Sequence, residues 1–253
     1  MGIPGALVQL ARDFQEAGVR LYGVGGMVRN PRLGLPISDM DITSALRPEG
    51  VLALCQGKGY GVVKKGLAFG MVEIHLGGYA FEHTTFRADT YGPGGGHRPT
   101  AIAFSDTVEA DAFRRDFTVN ALYQDLLTGA VLDPTGGLKD LAAKRLRATS
   151  PDPAVILRDD ALRVLRLARF CGELGFEPEP GTFGAAQRFV GGLKDISRER
   201  VRDELQKILL ADGKYGNQGG VYQGLHLLDR LGALEVILPA LAAGRGLGQR
   251  QGY

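Results

Sequence analysis

The chain has two cysteines, four histidines and no tryptophan among its 253 residues, and no stretch approaches the ~18 consecutive apolar residues of a membrane-spanning helix. Cys55 and Cys171 stand far apart in runs of helical character, with no neighbours at metal-site spacing. Buried free thiols in a reducing compartment are therefore expected, a disulfide being the alternative. His75, His83, His97 and His226 fall in no zinc-protease or HxH pattern, and no G-x-S-x-G occurs, so zinc hydrolysis and serine or cysteine nucleophile schemes lose their footing. The stretch GVGGMV, 23–28, does not supply the G-x-G-x-x-G of a dinucleotide fold. No basic segment followed by an apolar run opens the chain, which makes the cytoplasm the expected compartment, with no membrane partner.

The formal charge of +2 excludes little, but its distribution is uneven: between Leu141 and Phe170 seven Lys or Arg face three Asp. That excess suits a polyanionic partner and equally a solvated helix face. A hydrophobic content of 44% supports a full core in one large or two modest domains, and 38 glycines imply many turns or close backbone approaches. Apolar spacing predicts a helix over 4–17, strands around 19–22, 38–44, 61–64, 70–76 and 79–87, and a hairpin turning at Gly77-Gly78. Residues 90–99, TYGPGGGHRP, read as a polar glycine-rich loop containing His97, followed by a strand over 101–105. Helical character is then expected over 108–111 and 114–125, with a small strand pair about Thr128-Gly129. After Pro153 only helical spacing remains. An α/β head over residues 1–147 and a helical region over 148–253 are the expected domains.

In LPISDMDITSA, 35–45, Asp39 and Asp41 are one residue apart, and on a strand they would point to the same side. Paired carboxylates are costly without a cation, and Mg²⁺ suits them because it takes carboxylate, water and phosphate oxygen together. A turn cap beside a salt bridge is the simpler alternative. Gly25 and Gly26 follow a strand and open a helix, where a phosphate could approach the backbone, and Arg29 adds a guanidinium. Glu82 lies on a strand with Phe81 and His83 on its other face, either as a third carboxylate or as a solvated edge glutamate. In RRDFTVNALYQD, Arg114 and Arg115 offer planar donors for phosphate, while Asp116 and Asn120 share a helical face suited to a ribose; charge pairing at a helix start is the alternative. Asp160 and Arg163 in RDDALRVLRLARF are three apart on a helix and either match a nucleobase edge or form an intrahelical ion pair.

Taken in order, GVGGMVRN, SDMDI, FEHTTFR, HRP, RRDFTVNAL, DDALRVLRLARF and SRERVRDEL resemble the class II tRNA nucleotidyltransferase and bacterial poly(A) polymerase family, from about Val19 to Leu210. The resemblance implies a polymerase-β-like head, a mixed sheet with flanking helices, followed by an all-helical neck and body. It implies a Mg²⁺-dependent enzyme that adds C and A from CTP and ATP to the tRNA 3′ end without a nucleic-acid template. Poly(A) synthesis, or addition of CC or A only, are alternatives within the enzyme class, and a catalytically inactive RNA-binding protein that kept the fold is one of another class. On this resemblance Asp39 and Asp41 would hold the metal, with Glu82 assisting. Gly25, Gly26 and Arg29 would lie by the triphosphate, Arg115, Asp116 and Asn120 would hold triphosphate and ribose, Asp160 and Arg163 would read the nucleotide base, and Arg166 would also bind the nucleotide. Arg200 and Glu204 would fall in a later helix that supports the neck. The family usually has Asp where this chain has Asn30, Glu where it has Asp159, and HGT where it has Phe69-Gly70-Met71. The chain ends at Tyr253, short of typical members, so a shortened body without a tail is expected; oligomeric state stays open.

Overall fold

In a computed structural model, which describes residues 3–90 and 101–246, the chain divides into two compact units between Pro151 and Asp152. The glycine-rich loop and His97 lie outside the described residues. The division falls four residues past the expected position because Thr149 is still tied to the first unit. Its N–H donates to the Asp116 carbonyl at 3.2 Å, and Phe117 and Ala148 form an isolated antiparallel bridge.

The first unit is built on a seven-stranded mixed sheet. Its strands are β1 (Tyr22–Val24), β2 (Asp41–Ser44), β3 (Gly61–Gly66), β4 (Met71–Leu76), β5 (Tyr79–Thr85), β8 (Tyr123–Asp125) and β9 (Val131–Leu132), in the order β3-β4-β5-β2-β1-β8-β9. Only β2 and β5 run parallel. A separate hairpin joins β6 (Arg87–Thr90) to β7 (Ala101–Phe104). Gly77 and Gly78 both have positive φ, 60° and 81°, which a two-residue hairpin turn between β4 and β5 requires.

Along β5, Phe81, His83 and Thr85 are buried while Ala80 and Glu82 are exposed, and Val72 and Ile74 on β4 face the same core. Helix α1 (Gly5–Glu16) lays Leu7, Leu10, Ala11 and Phe14 into that core, joined by Val51 and Cys55 of α3 (Pro48–Lys58). His83 is sealed beneath Phe14 with Nε2 on the Ser44 hydroxyl at 2.8 Å, and burial pushes its pKa down to about 3, so the ring is neutral. Between β4 and β2, β5 is an interior strand, so Glu82 is not at a sheet edge, although its side chain is exposed. A second core gathers Tyr22, Val24, Phe86, Val108, Ala112, Ala121 and Tyr123 around α4 (Val108–Phe113). Two further helices complete the unit, α2 (Gly26–Arg32) and α5 (Gly137–Ala142).

The second unit is helical: α6 (Pro153–Asp159), α7 (Leu162–Leu174), α8 (Pro180–Phe189), α9 (Arg198–Leu209), α10 (Ala211–Tyr215), α11 (Gly220–Arg230), α12 (Ala233–Ile237) and α13 (Pro239–Ala243). Its centre is the crossing of α7 and α11, where backbones meet through glycine. A Cβ placed on Gly220 would lie 2.4 Å from the Gly172 carbonyl oxygen, and one on Gly172 would lie 2.5 Å from that of Gly220. No described helix is long and apolar enough to cross a membrane. Both cysteines are free and buried.

Because no side chain fits at that crossing, Gly220→Ala is expected to lower the unfolding free energy in urea by about 2 kcal/mol or more, the cost of overpacking against backbone. Gly213→Ala, where a methyl group would meet nothing within 4 Å, should stay within about 1 kcal/mol of the parent. Equal stability of Gly220→Ala and the parent would contradict the close crossing.

Candidate active site

Strands β1 and β2 bring the glycine turn and the acidic couple together. Gly25 caps α2 with φ 65° and ψ −126°, a conformation closed to residues bearing a Cβ, and a Cβ there would stand 3.9 Å from Asp41 Oδ2. Asp41 opens β2 and lies in register with Glu82 on β5. Asp39 does not lie on the strand as expected. Residues Leu33 to Pro36 are held elsewhere: Asn30 Nδ2 donates to the Pro36 carbonyl at 2.8 Å, and the Asn30 carbonyl accepts from Leu33 and Leu35 N–H, each at 2.9 Å; bonding to β5 begins only at the Met40 carbonyl, which accepts from Glu82 N–H at 3.2 Å. Asp39 is exposed and accepts from the Ser38 hydroxyl at 2.8 Å. It still reaches Asp41 electrostatically.

The Asp41 pKa is raised, by burial first and then by the charges of Glu82 and Asp39, while Arg115 and Arg29 pull it back. Glu82 itself pairs with Lys65 Nζ at 2.8 Å, and Lys65 also pairs with Glu73, the residue opposite Glu82 on β4. Among the described residues no group of three or more His, Cys, Asp or Glu side chains could hold a metal ion. Asp41, with the negative charge of Glu82 and Asp39 near it, offers the kind of carboxylate oxygen that Mg²⁺ takes together with water and phosphate oxygen.

Arg29 is buried rather than extended toward solvent. Its Nε and Nη2 donate to Asn30 Oδ1 at 3.0 and 2.8 Å, and Nη1 donates to Asn120 Oδ1. Asn30 thereby explains its own departure from aspartate: one amide oxygen takes the guanidinium while the amide nitrogen holds the Pro36 carbonyl, a donor that a carboxylate lacks. Asn120 Nδ2 donates to Asp116 Oδ1 at 3.1 Å, and Phe117 N–H donates to the same oxygen at 2.7 Å. The expected shared helical face of Asp116 and Asn120 is absent. Helix α4 ends at Phe113, and Thr118–Asn120 is a short 3₁₀ turn, because Thr118 N–H is taken by the Arg147 carbonyl and the backbone around Phe117 bridges to Ala148. The two side chains meet through that turn instead.

Arg115 was expected as an open phosphate donor, but one edge of its guanidinium is occupied. Nε and Nη2 donate to Asp111 Oδ2 at 3.1 and 2.9 Å, and Nε also donates to the Tyr123 hydroxyl at 2.9 Å. Burial disfavours its charge, and Tyr123 and Asp111 more than offset that. Asp111 and Tyr123, which hold Arg115, were passed over by the motif reading, although an acid three and four residues before an arginine pair was a legible helical signal. Where the family has HGT, the Phe69 side chain is half exposed, its carbonyl accepts from Arg87 Nη1 at 2.7 Å, and Gly70 has φ 78°.

In the helical unit, Asp160 and Arg163 do not share a helix. The expected continuous helix breaks at Asp160, whose backbone is extended (φ −143°, ψ 102°) between α6 and α7. Its Oδ1 accepts from Leu162 N–H at 3.1 Å and its Oδ2 from Arg200 Nη2 at 2.8 Å. Arg163 Nη1 donates to the Ile156 carbonyl at 2.9 Å, across the same break. Asp159, where the family has Glu, has a raised pKa from burial, opposed by Arg158 and Arg163. Arg166 lies 3.9 Å from Glu204 and over the Phe170 ring, and Arg169 pairs with Glu204 at 3.1 Å. Arg200 and Glu204 of α9 thus brace Asp160 and α7.

The sequence matches the family described as the poly(A) polymerase head domain over residues 21–147, and a probable RNA- and SrmB-binding site of polymerase A over residues 175–244. The CCA-adding enzyme of Limosilactobacillus fermentum is 38% identical over 199 residues, covering 78% of this chain and 48% of the relative. That of Geobacillus stearothermophilus is 35% identical over 239 residues, covering 92% and 54%. Among solved structures, the Bacillus stearothermophilus CCA-adding enzyme in complex with CTP superposes with a TM-score of 0.80 at 32% identity, over 94% of this chain and 54% of that one. A tRNA nucleotidyltransferase complexed with a primer tRNA and an incoming ATP analogue gives 0.72 at 27% identity, over 96% and 64%. The chain spans about half the length of the curated relatives it matches.

A raised native pKa means that ionising Asp41 costs the metal-free fold; that cost is absent below the ordinary carboxylate range and grows as pH rises through the raised value. Metal-free Asp41→Asn should therefore melt higher than the parent at neutral pH, the difference vanishing below about pH 3. Saturating Mg²⁺ should raise the melting temperature of the parent and not of the variant.

Proposed function

The chain belongs to the family of the poly(A) polymerase head domain, which includes the CCA-adding enzymes, and from that premise we propose that it is a Mg²⁺-dependent nucleotidyltransferase adding C and A from CTP and ATP to the 3′ end of tRNA. The observation that carries the reading is the approach of Asp41 to the Gly25 turn, with Asp39 and Glu82 adding negative charge and Arg29 and Arg115 beside them. That arrangement answers to a triphosphate delivered with a divalent cation.

Asp39 and Asp41 would hold the ion, which when bound neutralises phosphate charge and favours ionisation of a nearby hydroxyl. Glu82, held by Lys65, contributes charge from the neighbouring strand. Gly25 and Gly26 leave room for phosphate oxygens against the backbone. The network running from Asn30 through Arg29 and Asn120 to Asp116 sets the ribose-facing amide and carboxylate. The 3′ oxygen of the RNA attacks the α-phosphorus, its proton is lost to water, and the bond to the departing pyrophosphate breaks. Preorganised side chains place the reactants and meet the developing charge. Asp160, Arg163 and Arg166 would read the base, with Arg200 fixing the Asp160 carboxylate. The family description also admits a poly(A) product, which product length distinguishes.

On a tRNA lacking its terminal CCA, with CTP and ATP supplied singly and together, addition of CC from CTP and of one A from both is expected; a long A tract from ATP alone would replace this reading with poly(A) synthesis. Asp41→Ala should abolish incorporation while the protein remains folded. Arg163→Ala should keep incorporation but shift the CTP/ATP preference by about tenfold or more. An unchanged preference would overturn the base-reading assignment.

A further inference from the structure

We propose that Asp111 and Tyr123 are positioning residues that lock one edge of the Arg115 guanidinium and leave its remaining nitrogen, Nη1, to take a triphosphate oxygen. The identity of the anion rests on the nucleotidyl-transfer reading; the clamp rests on geometry alone.

Asp111 is fully buried on α4 and uses both oxygens. Oδ2 accepts from Arg115 Nε and Nη2 and from the Tyr123 hydroxyl, the last at 2.7 Å, while Oδ1 accepts from Arg114 Nε at 2.9 Å. The Tyr123 hydroxyl closes the triangle by accepting from Arg115 Nε, and its ring centre lies 5.3 Å from the guanidinium carbon. Tyr123 cannot swing away, because it is fully buried and packs edge-on against Tyr22 and Phe86. It also pairs in register with Val24, the residue before the Gly25 turn. The clamp and the turn are thus built on one strand pair.

Arg115 makes every one of these bonds through Nε and Nη2, and Nη1 forms no hydrogen bond among the described residues. Nη1 is not among the buried side-chain atoms left without a partner, so with the side chain 19% exposed this nitrogen is the part of the fork that an anion in solution can reach. A fork held on one side and open on the other is preorganised for an anion, because the rotamer entropy of a long side chain is lost on folding and not on binding.

The test is calorimetric titration with inorganic tripolyphosphate and, separately, with cytidine, followed by incorporation kinetics with CTP. Tyr123→Phe keeps the packed ring and removes only the hydroxyl; it should weaken tripolyphosphate about fivefold and leave cytidine unchanged. Asp111→Asn should weaken tripolyphosphate about tenfold or more. In Arg115→Ala the clamp has nothing to hold, so adding Tyr123→Phe should cost no further affinity, and the two changes should be non-additive. Tripolyphosphate binding by Tyr123→Phe as tight as by the parent, additive losses in the double variant, or no tripolyphosphate binding by the parent would each overturn the proposal. If the parent added no nucleotide to any RNA while tripolyphosphate binding changed as described, the clamp would stand and the transfer reading would fall.

Discussion

Negative charge crowded at Asp41 is the constraint around which the first unit is arranged. Asp41 is partly withdrawn from water, Glu82 faces it across the β2–β5 ladder, and Asp39 adds a further carboxylate. Such a group favours protonation unless cations compensate. The fold provides cations but fastens them: Arg29 to Asn30 and Asn120, Arg115 to Asp111 and Tyr123, Lys65 to Glu73 and Glu82. Among the described residues none of these cations forms a direct ion pair with Asp41, and Arg115 and Arg29 act on it at a distance.

Amide side chains do much of the fastening. Asn30 and Asn120 each present an oxygen to Arg29 and a nitrogen to an acceptor, the Pro36 carbonyl and Asp116 Oδ1 respectively. That bipolar use connects the end of β1, the loop carrying Asp39 and the turn after α4 without placing another charge in the interior. It also accounts for the position at which this chain carries Asn where its family usually carries Asp.

The parts of the fold legible in the sequence were those governed by local periodicity. The α1 stripe of Leu7, Leu10, Ala11 and Phe14, the alternation along β5 and the Gly77-Gly78 turn all depend on neighbours within a few residues. What misled was equal spacing without a helix. Asp116 and Asn120, four apart, meet through a 3₁₀ turn because Thr118 and Thr149 take distant backbone partners, and Asp160 ends a helix because its own carboxylate caps Leu162 and receives Arg200. Strand membership of Asp39 failed likewise: a hydrogen bond from Asn30 ties the preceding Pro36 back to α2, and β2 begins at Asp41. Asp111 lay in plain spacing before Arg114 and Arg115, but nothing local pointed to Tyr123, which arrives from β8. The family resemblance was carried by motif order, which survives where element boundaries shift.

The most direct measurement is the binding of Mn²⁺, as a paramagnetic stand-in for Mg²⁺, in the presence of CTP, followed by electron paramagnetic resonance for the parent and for Asp39→Asn and Asp41→Asn. If the acidic couple grips a divalent cation beside the triphosphate, the parent should bind Mn²⁺ together with CTP and each variant should lose most of that binding while remaining folded. Undiminished Mn²⁺ binding in both variants would contradict it.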